Sequence, residues 1–108
     1  MRIIFDQATP VPIRPYLEGH NVRTAAKQGC DKLKNGDLLN AAEAAGFDLL
    51  LTTDKNIFYQ QNLAGRKIAI VALGRQQWPQ LRPHVQLVVK AVNAATPGSY
   101  VQVEIPFE

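Results

Sequence analysis

Two short apolar runs of this 108-residue chain each end on an aspartate. Arg2-Ile3-Ile4-Phe5 precedes Asp6, and Leu49-Leu50-Leu51-Thr52-Thr53 precedes Asp54. A continuous aliphatic run of four to six residues bounded by polar positions predicts a strand buried on both faces. In an open α/β sheet, ligands bind beyond the carboxyl ends of the strands, where the chain order reverses. Neighbouring parallel strands would therefore set these two carboxylates side by side, and a divalent cation is the simplest way to keep both ionised. A third acid, Asp37, falls in the first turn of a predicted helix, where the macrodipole favours negative charge. Glu43 is six residues further on, about 120° around that helix, and so cannot easily share its face. Asp48 precedes its strand and belongs to the opposite edge of the sheet. Asn56 adds an amide oxygen two residues beyond Asp54. Carboxylate and amide oxygens suit a hard cation such as Mg²⁺ or Mn²⁺, which retains open positions for a substrate phosphate and a nucleophilic water.

Each of these residues also has a structural reading. Asp6 can begin a turn before Thr9, Asp37 can serve only the helix dipole, and Asp54 with Asn56 can form an Asx turn. Two aspartates closing the two most apolar runs are harder to assign to turns alone.

The elements that would position them alternate strand and helix, which predicts βαβ units and a mainly parallel sheet. Strands are expected over residues 2–5, 21–24, 47–53, 67–73 and 100–105. The first four are expected side by side in the order second, first, third, fourth, with the fifth at an edge, stopped by Pro106. Thr9-Pro10 predicts a helix N-cap with proline at the first helical position. Pro15 should keep that helix short, ending near Gly19. Residues 25–28 and 60–64 each predict a single helical turn. A longer helix is expected from Asn35 or Gly36 to Gly46, on Leu38, Leu39, Ala42 and Ala45. The last helix starts at Trp78-Pro79 and turns Leu81, Val85, Val88, Val89 and Val92 to one face, with Pro83 disturbing its first turn. The whole is one α/β domain over residues 1–108 with a mainly parallel sheet of four to five strands.

Composition narrows the function classes. Net charge is +3, from 12 Lys and Arg against 9 Asp and Glu, mildly favourable to a polyanion but without a basic block. Cys30 is the single cysteine and cannot form an internal disulfide. No apolar stretch approaches the roughly 20 residues that span a bilayer, and no secretory signal pattern opens the chain, so a cytoplasmic protein without a membrane partner is expected. Ser99 is the only serine and has no nucleophile-elbow glycines. The seven glycines match neither a dinucleotide nor a P-loop spacing. His20, Cys30 and His84 are too few and too separated for a zinc pattern. His20 is expected to bond locally, and Trp78 to anchor the last helix.

At these same residues the sequence resembles the PIN-like domains, specifically small stand-alone bacterial proteins of toxin type. The resembling stretches are Ile3-Ile4-Phe5-Asp6-Gln7 with Thr9-Pro10, then Gly19-His20-Asn21-Val22, then Asn35-Gly36-Asp37-Leu38-Leu39 with Ala44-Ala45-Gly46-Phe47-Asp48, and finally Leu51-Thr52-Thr53-Asp54-Lys55-Asn56. The resemblance implies an α/β/α sandwich whose acidic cluster binds Mg²⁺ or Mn²⁺ and cleaves single-stranded RNA. Asp6, Asp37 and Asp54 match the catalytic and metal-binding acids, with Asn56 completing the ligand set. Lys55, Arg14 and Lys34 are the cations expected at the substrate. A toxin of this type implies an antitoxin protein as partner, and a homodimer is a further expected assembly. Ala8 and Asn56 depart from the pattern, the latter standing where an acid would complete the cluster.

Three functional hypotheses follow. The leading one is a metal-dependent endoribonuclease. The alternative, motivated by Asn56, is a non-catalytic interaction module with a degenerate metal site. A phosphoacceptor receiver ranks last, because Gln7 rather than a second acid follows Asp6 and no lysine follows residues 101–105.

Overall fold

The computed structural model describes residues 1–33, 35–53, 65–74 and 77–105. Five strands form one sheet: β1 (Arg2–Phe5), β2 (Asn21–Thr24), β3 (Leu49–Thr52), β4 (Ala69–Leu73) and β5 (Tyr100–Val103). Their spatial order is β2-β1-β3-β4-β5, and every pairing is parallel. The expected α/β architecture is therefore observed, with a fully parallel sheet. Strand β1 pairs Ile3, Ile4 and Phe5 with Leu49, Leu50 and Leu51 of β3. The chain leaves β1 to one side for β2 and returns past it to β3, so the switch point lies between β1 and β3.

Alternation along the strands sorts the core into two halves. Ile3, Phe5, Leu49, Leu51 and Val71 meet Ile13 and Leu17 of the first connection and Val85, Val88 and Val92 of the last helix. Ile4, Leu50 and Ile70 face the other way, onto Leu38, Leu39 and Ala42. Leu49, Leu50 and Leu51 are all 0% exposed, which is why this segment reads as unbroken leucine rather than as an alternating pattern. Each such side chain contributes roughly 1.5–3 kcal/mol through burial. At β5 the alternation is only partial: Val103 and Ile105 are buried between the exposed Gln102 and Glu104, whereas Val101, of the same parity, is exposed at the sheet edge.

Helix α1 (Asn35–Ala44) covers the Ile4 face. It ends at Gly46, with φ +84°. The Phe47 amide reaches the Ala42 carbonyl and the Gly46 amide the Glu43 carbonyl, each at 3.0 Å, which is a Schellman cap. The Arg2 guanidinium adds a bond to the Ala45 carbonyl at 2.5 Å and lies 4.6 Å from the centroid of the Phe47 ring. The final helical region is divided into α2 (Trp78–Leu81), a 3-10 turn (Arg82–His84) and α3 (Val85–Ala94). Pro83 lacks the N–H an α-helix would require there.

Three expectations are revised in detail. Residues 11–16 form a 3-10 helix, and Thr9 is not its cap; Pro10 holds that position without a side-chain bond. The Thr9 hydroxyl is turned instead toward Asp6 and the Leu51 carbonyl. Strands β1 and β2 match their predicted spans, whereas β3 begins later, at Leu49, β4 begins later, at Ala69, and β5 ends earlier, at Val103. Residues 25–29 form a hydrogen-bonded turn as expected, while the turn expected at 60–64 lies outside the described residues. Among the described residues, no helix is long and apolar enough to cross a membrane.

Candidate functional site

Asp6 is the first residue beyond β1 and is half-buried. Its amide donates to the Leu51 carbonyl at 3.2 Å, extending the β1–β3 ladder by one bond and locking the backbone in the switch-point crevice. Alternation from Ile4 puts its side chain on the α1 face. Leu50 and Thr52 of β3 share that face, and the Thr52 hydroxyl donates to Asp6 Oδ2. Asp6 Oδ1 accepts from the Thr9 amide at 3.0 Å. The Thr9 hydroxyl lies 2.5 Å from the same oxygen and 2.8 Å from the Leu51 carbonyl. Having one proton, it donates to one of these acceptors at a time.

These contacts decide what Asp6 can do. A carboxylate offers about four lone-pair positions. The Thr9 donors can occupy both on Oδ1, whereas Thr52 takes one on Oδ2. Among the described residues Oδ2 therefore keeps a free position and is the atom able to ligate a cation, with the oxygen chemistry that suits Mg²⁺ or Mn²⁺. The two threonines orient the carboxylate without neutralising it.

Asp37 lies in the first turn of α1 and is exposed. Because α1 follows β2 in a parallel sheet, its N-terminus lies at the same strand-end edge as Asp6. The two acids set aside on sequence grounds lie at the opposite edge. Glu43 Oε1 pairs with Arg66 Nη1 at 2.5 Å, and its Oε2 accepts from the Lys67 amide at 3.3 Å. Asp48 accepts from the Arg2 amide at 2.8 Å. His20 also has a local role: its Nδ1 lies 3.1 Å from the amino group of Met1 and its Nε2 2.8 Å from Asn93 Oδ1. Trp78 packs against Tyr16, with ring centroids 6.0 Å apart, and anchors its helix against the core.

Asp54, Lys55, Asn56 and Lys34 lie outside the described residues. Among those described, no three His, Cys, Asp or Glu side chains gather around a cation-sized space. Arg14 is exposed on the 3-10 helix. Sequence reasoning did not assign Thr9 and Thr52 to the site. Thr9 carries a local signal, since Asp-x-x-Thr spacing is that of a side-chain-to-backbone turn. The Thr52 contact joins residues 46 positions apart and has only the two-residue strand period as its signal. Comparison with protein-family models, curated proteins and solved structures finds no match.

Proposed function

We propose that this chain is a metal-dependent ribonuclease that cleaves single-stranded RNA, with Asp6, Asp37 and Asp54 as its carboxylates. The supporting observation is the Asp6 carboxylate, oriented at the β1–β3 switch point with one lone pair of Oδ2 unused. Asp6 would hold Mg²⁺ or Mn²⁺ together with Asp54 and Asn56, while Asp37 contributes from the N-terminal turn of α1. When bound, the ion supplies Lewis-acid stabilisation of the phosphodiester and a more acidic water. Thr9 and Thr52 act as positioning residues, because they fix the rotamer of the acid without touching substrate. The resemblance to stand-alone toxin-type proteins extends the proposal to a toxin partnered by an antitoxin protein.

The decisive experiment incubates an unstructured RNA with the protein and Mn²⁺ or Mg²⁺. Cleavage that EDTA stops, and that Asp6→Asn and Asp54→Asn each abolish, is the expected outcome. Metal-independent cleavage, or full activity in Asp6→Asn, refutes the reading.

One observation favours a second reading, an interaction module with a degenerate site. Asp6 already receives internal donors on both oxygens, as a purely structural aspartate would. That reading expects no metal-induced rise in Tm. The first expects a rise of about 11 °C, since an ion at a hundredfold excess over its Kd stabilises by about 2.7 kcal/mol.

A further inference from the structure

Outside the acid site, the outer edge of β2 carries a concentration of unneutralised positive charge. A groove of about 390 Å³ runs there, lined by Arg2, Arg14, Asn21, Arg23, Lys27 and Phe47, and no acidic residue contributes to it. Arg14, Arg23 and Lys27 are exposed, and among the described residues none of their side chains makes an ion pair or hydrogen bond. Arg2 differs from them. Its stacking on Phe47 and its bond to the Ala45 carbonyl hold the guanidinium in one orientation, with most of its five donors left over. One fixed guanidinium with three exposed cations spread around it suits an extended polyanion better than a single small anion.

The placement of these residues gives the groove a direction. Arg2, Asn21 and Phe47 mark the N-terminal edge of the sheet, Arg23 lies within β2, and Lys27 lies in the turn just after it. The span from Asn21 to Thr24 is about 10 Å at ~3.3 Å per residue. At the Lys27 end the Ala25 amide bonds the Phe5 carbonyl at 2.7 Å, so the groove finishes one strand away from Asp6.

We infer that the β2-edge groove binds the phosphodiester backbone of single-stranded RNA and leads it toward the crevice at Asp6. This rests on the ribonuclease reading for its destination, but the binding itself requires no metal and no cleavage. Phosphate contacts of this kind carry affinity rather than base specificity.

The test measures anisotropy of a labelled oligouridylate in EDTA across a salt series. Neutralising a phosphate on a single strand contributes about 0.7 to the slope of log K against log salt. Four cations then predict that raising salt from about 50 to about 200 mM weakens binding about fiftyfold. Arg23→Gln with Lys27→Gln should bind more weakly at low salt and lose only about sevenfold over the same range. Circular dichroism confirms folding of this variant, and Arg82→Gln with Lys90→Gln, outside the groove, is the matched control. An unchanged affinity and slope in the groove variant overturns the inference, as does preferential capture of polyglutamate over RNA. Groove-dependent binding without cleavage would defeat the ribonuclease reading and leave the groove standing. Cleavage with a KM indifferent to Arg23 and Lys27 would do the reverse.

Discussion

Replacing Thr52 by valine removes one hydroxyl from the crevice while preserving side-chain shape. Thr52 is 1% exposed, so the introduced methyl gains no solvent contact and the main loss is the hydrogen bond to Asp6 Oδ2. A bond to an ionised acceptor is worth roughly 1.5–3 kcal/mol. Asp6 is only half-buried, so water can partly replace the lost donor and the lower end applies. We expect a loss of about 1.5 kcal/mol, or about 6 °C in Tm for a domain of this size. Thr52 takes part in a further interaction, so the single variant mixes two effects. A double-mutant cycle with Asp6→Ala separates them. Urea unfolding followed by fluorescence of Trp78, the only tryptophan, supplies the four free energies. A coupling near or above 1 kcal/mol is expected. A coupling below about 0.3 kcal/mol, within the range of additivity, would refute the claim that Thr52 holds this carboxylate in place.

Three other outcomes follow from the same structure. Gly46→Ala should cost about 1–2 kcal/mol from its left-handed backbone alone. It should cost more if Arg2 cannot retreat from a Cβ that would lie 2.9 Å from its Nη1; chemical denaturation measures the sum. Leu50→Ala, at a fully buried position, should lose about 2–5 kcal/mol through cavity formation, whereas Val101→Ala at the exposed edge should lose far less. Glu43→Gln should cost no more than about 1 kcal/mol, shrinking with added salt, and leave RNA cleavage unchanged, whereas Asp37→Asn should weaken it.

The order of the first four strands was legible because aliphatic runs such as Leu49-Leu50-Leu51 admit few placements other than the middle of a parallel sheet. Helical angle alone separates Asp37 from Glu43, and in the fold Glu43 is engaged by Arg66 at the opposite edge. Thr9 misled because threonine before proline is a common cap, and only the third dimension reveals that its hydroxyl has a carboxylate and the Leu51 carbonyl within reach. The 3-10 form of residues 11–16 follows from Pro12 and Pro15, each lacking an amide hydrogen, but proline content by itself does not choose between a tight helix and a broken one. The pairing of Thr52 with Asp6 spans 46 positions and depends on strand register, which no local pattern encodes.

The central place of β1 in the sheet has a consequence for how the protein is made. During synthesis β1 gains one neighbour, β2, promptly. Its other neighbour, β3, begins only at Leu49 and so is made well after both. Until then the nascent β1–β2 pair presents an unpaired aliphatic border, the kind of surface on which chains associate wrongly. Translation that pauses between Thr24 and Leu49 should therefore leave aggregation-prone material, and a chaperone would be needed earliest over that interval.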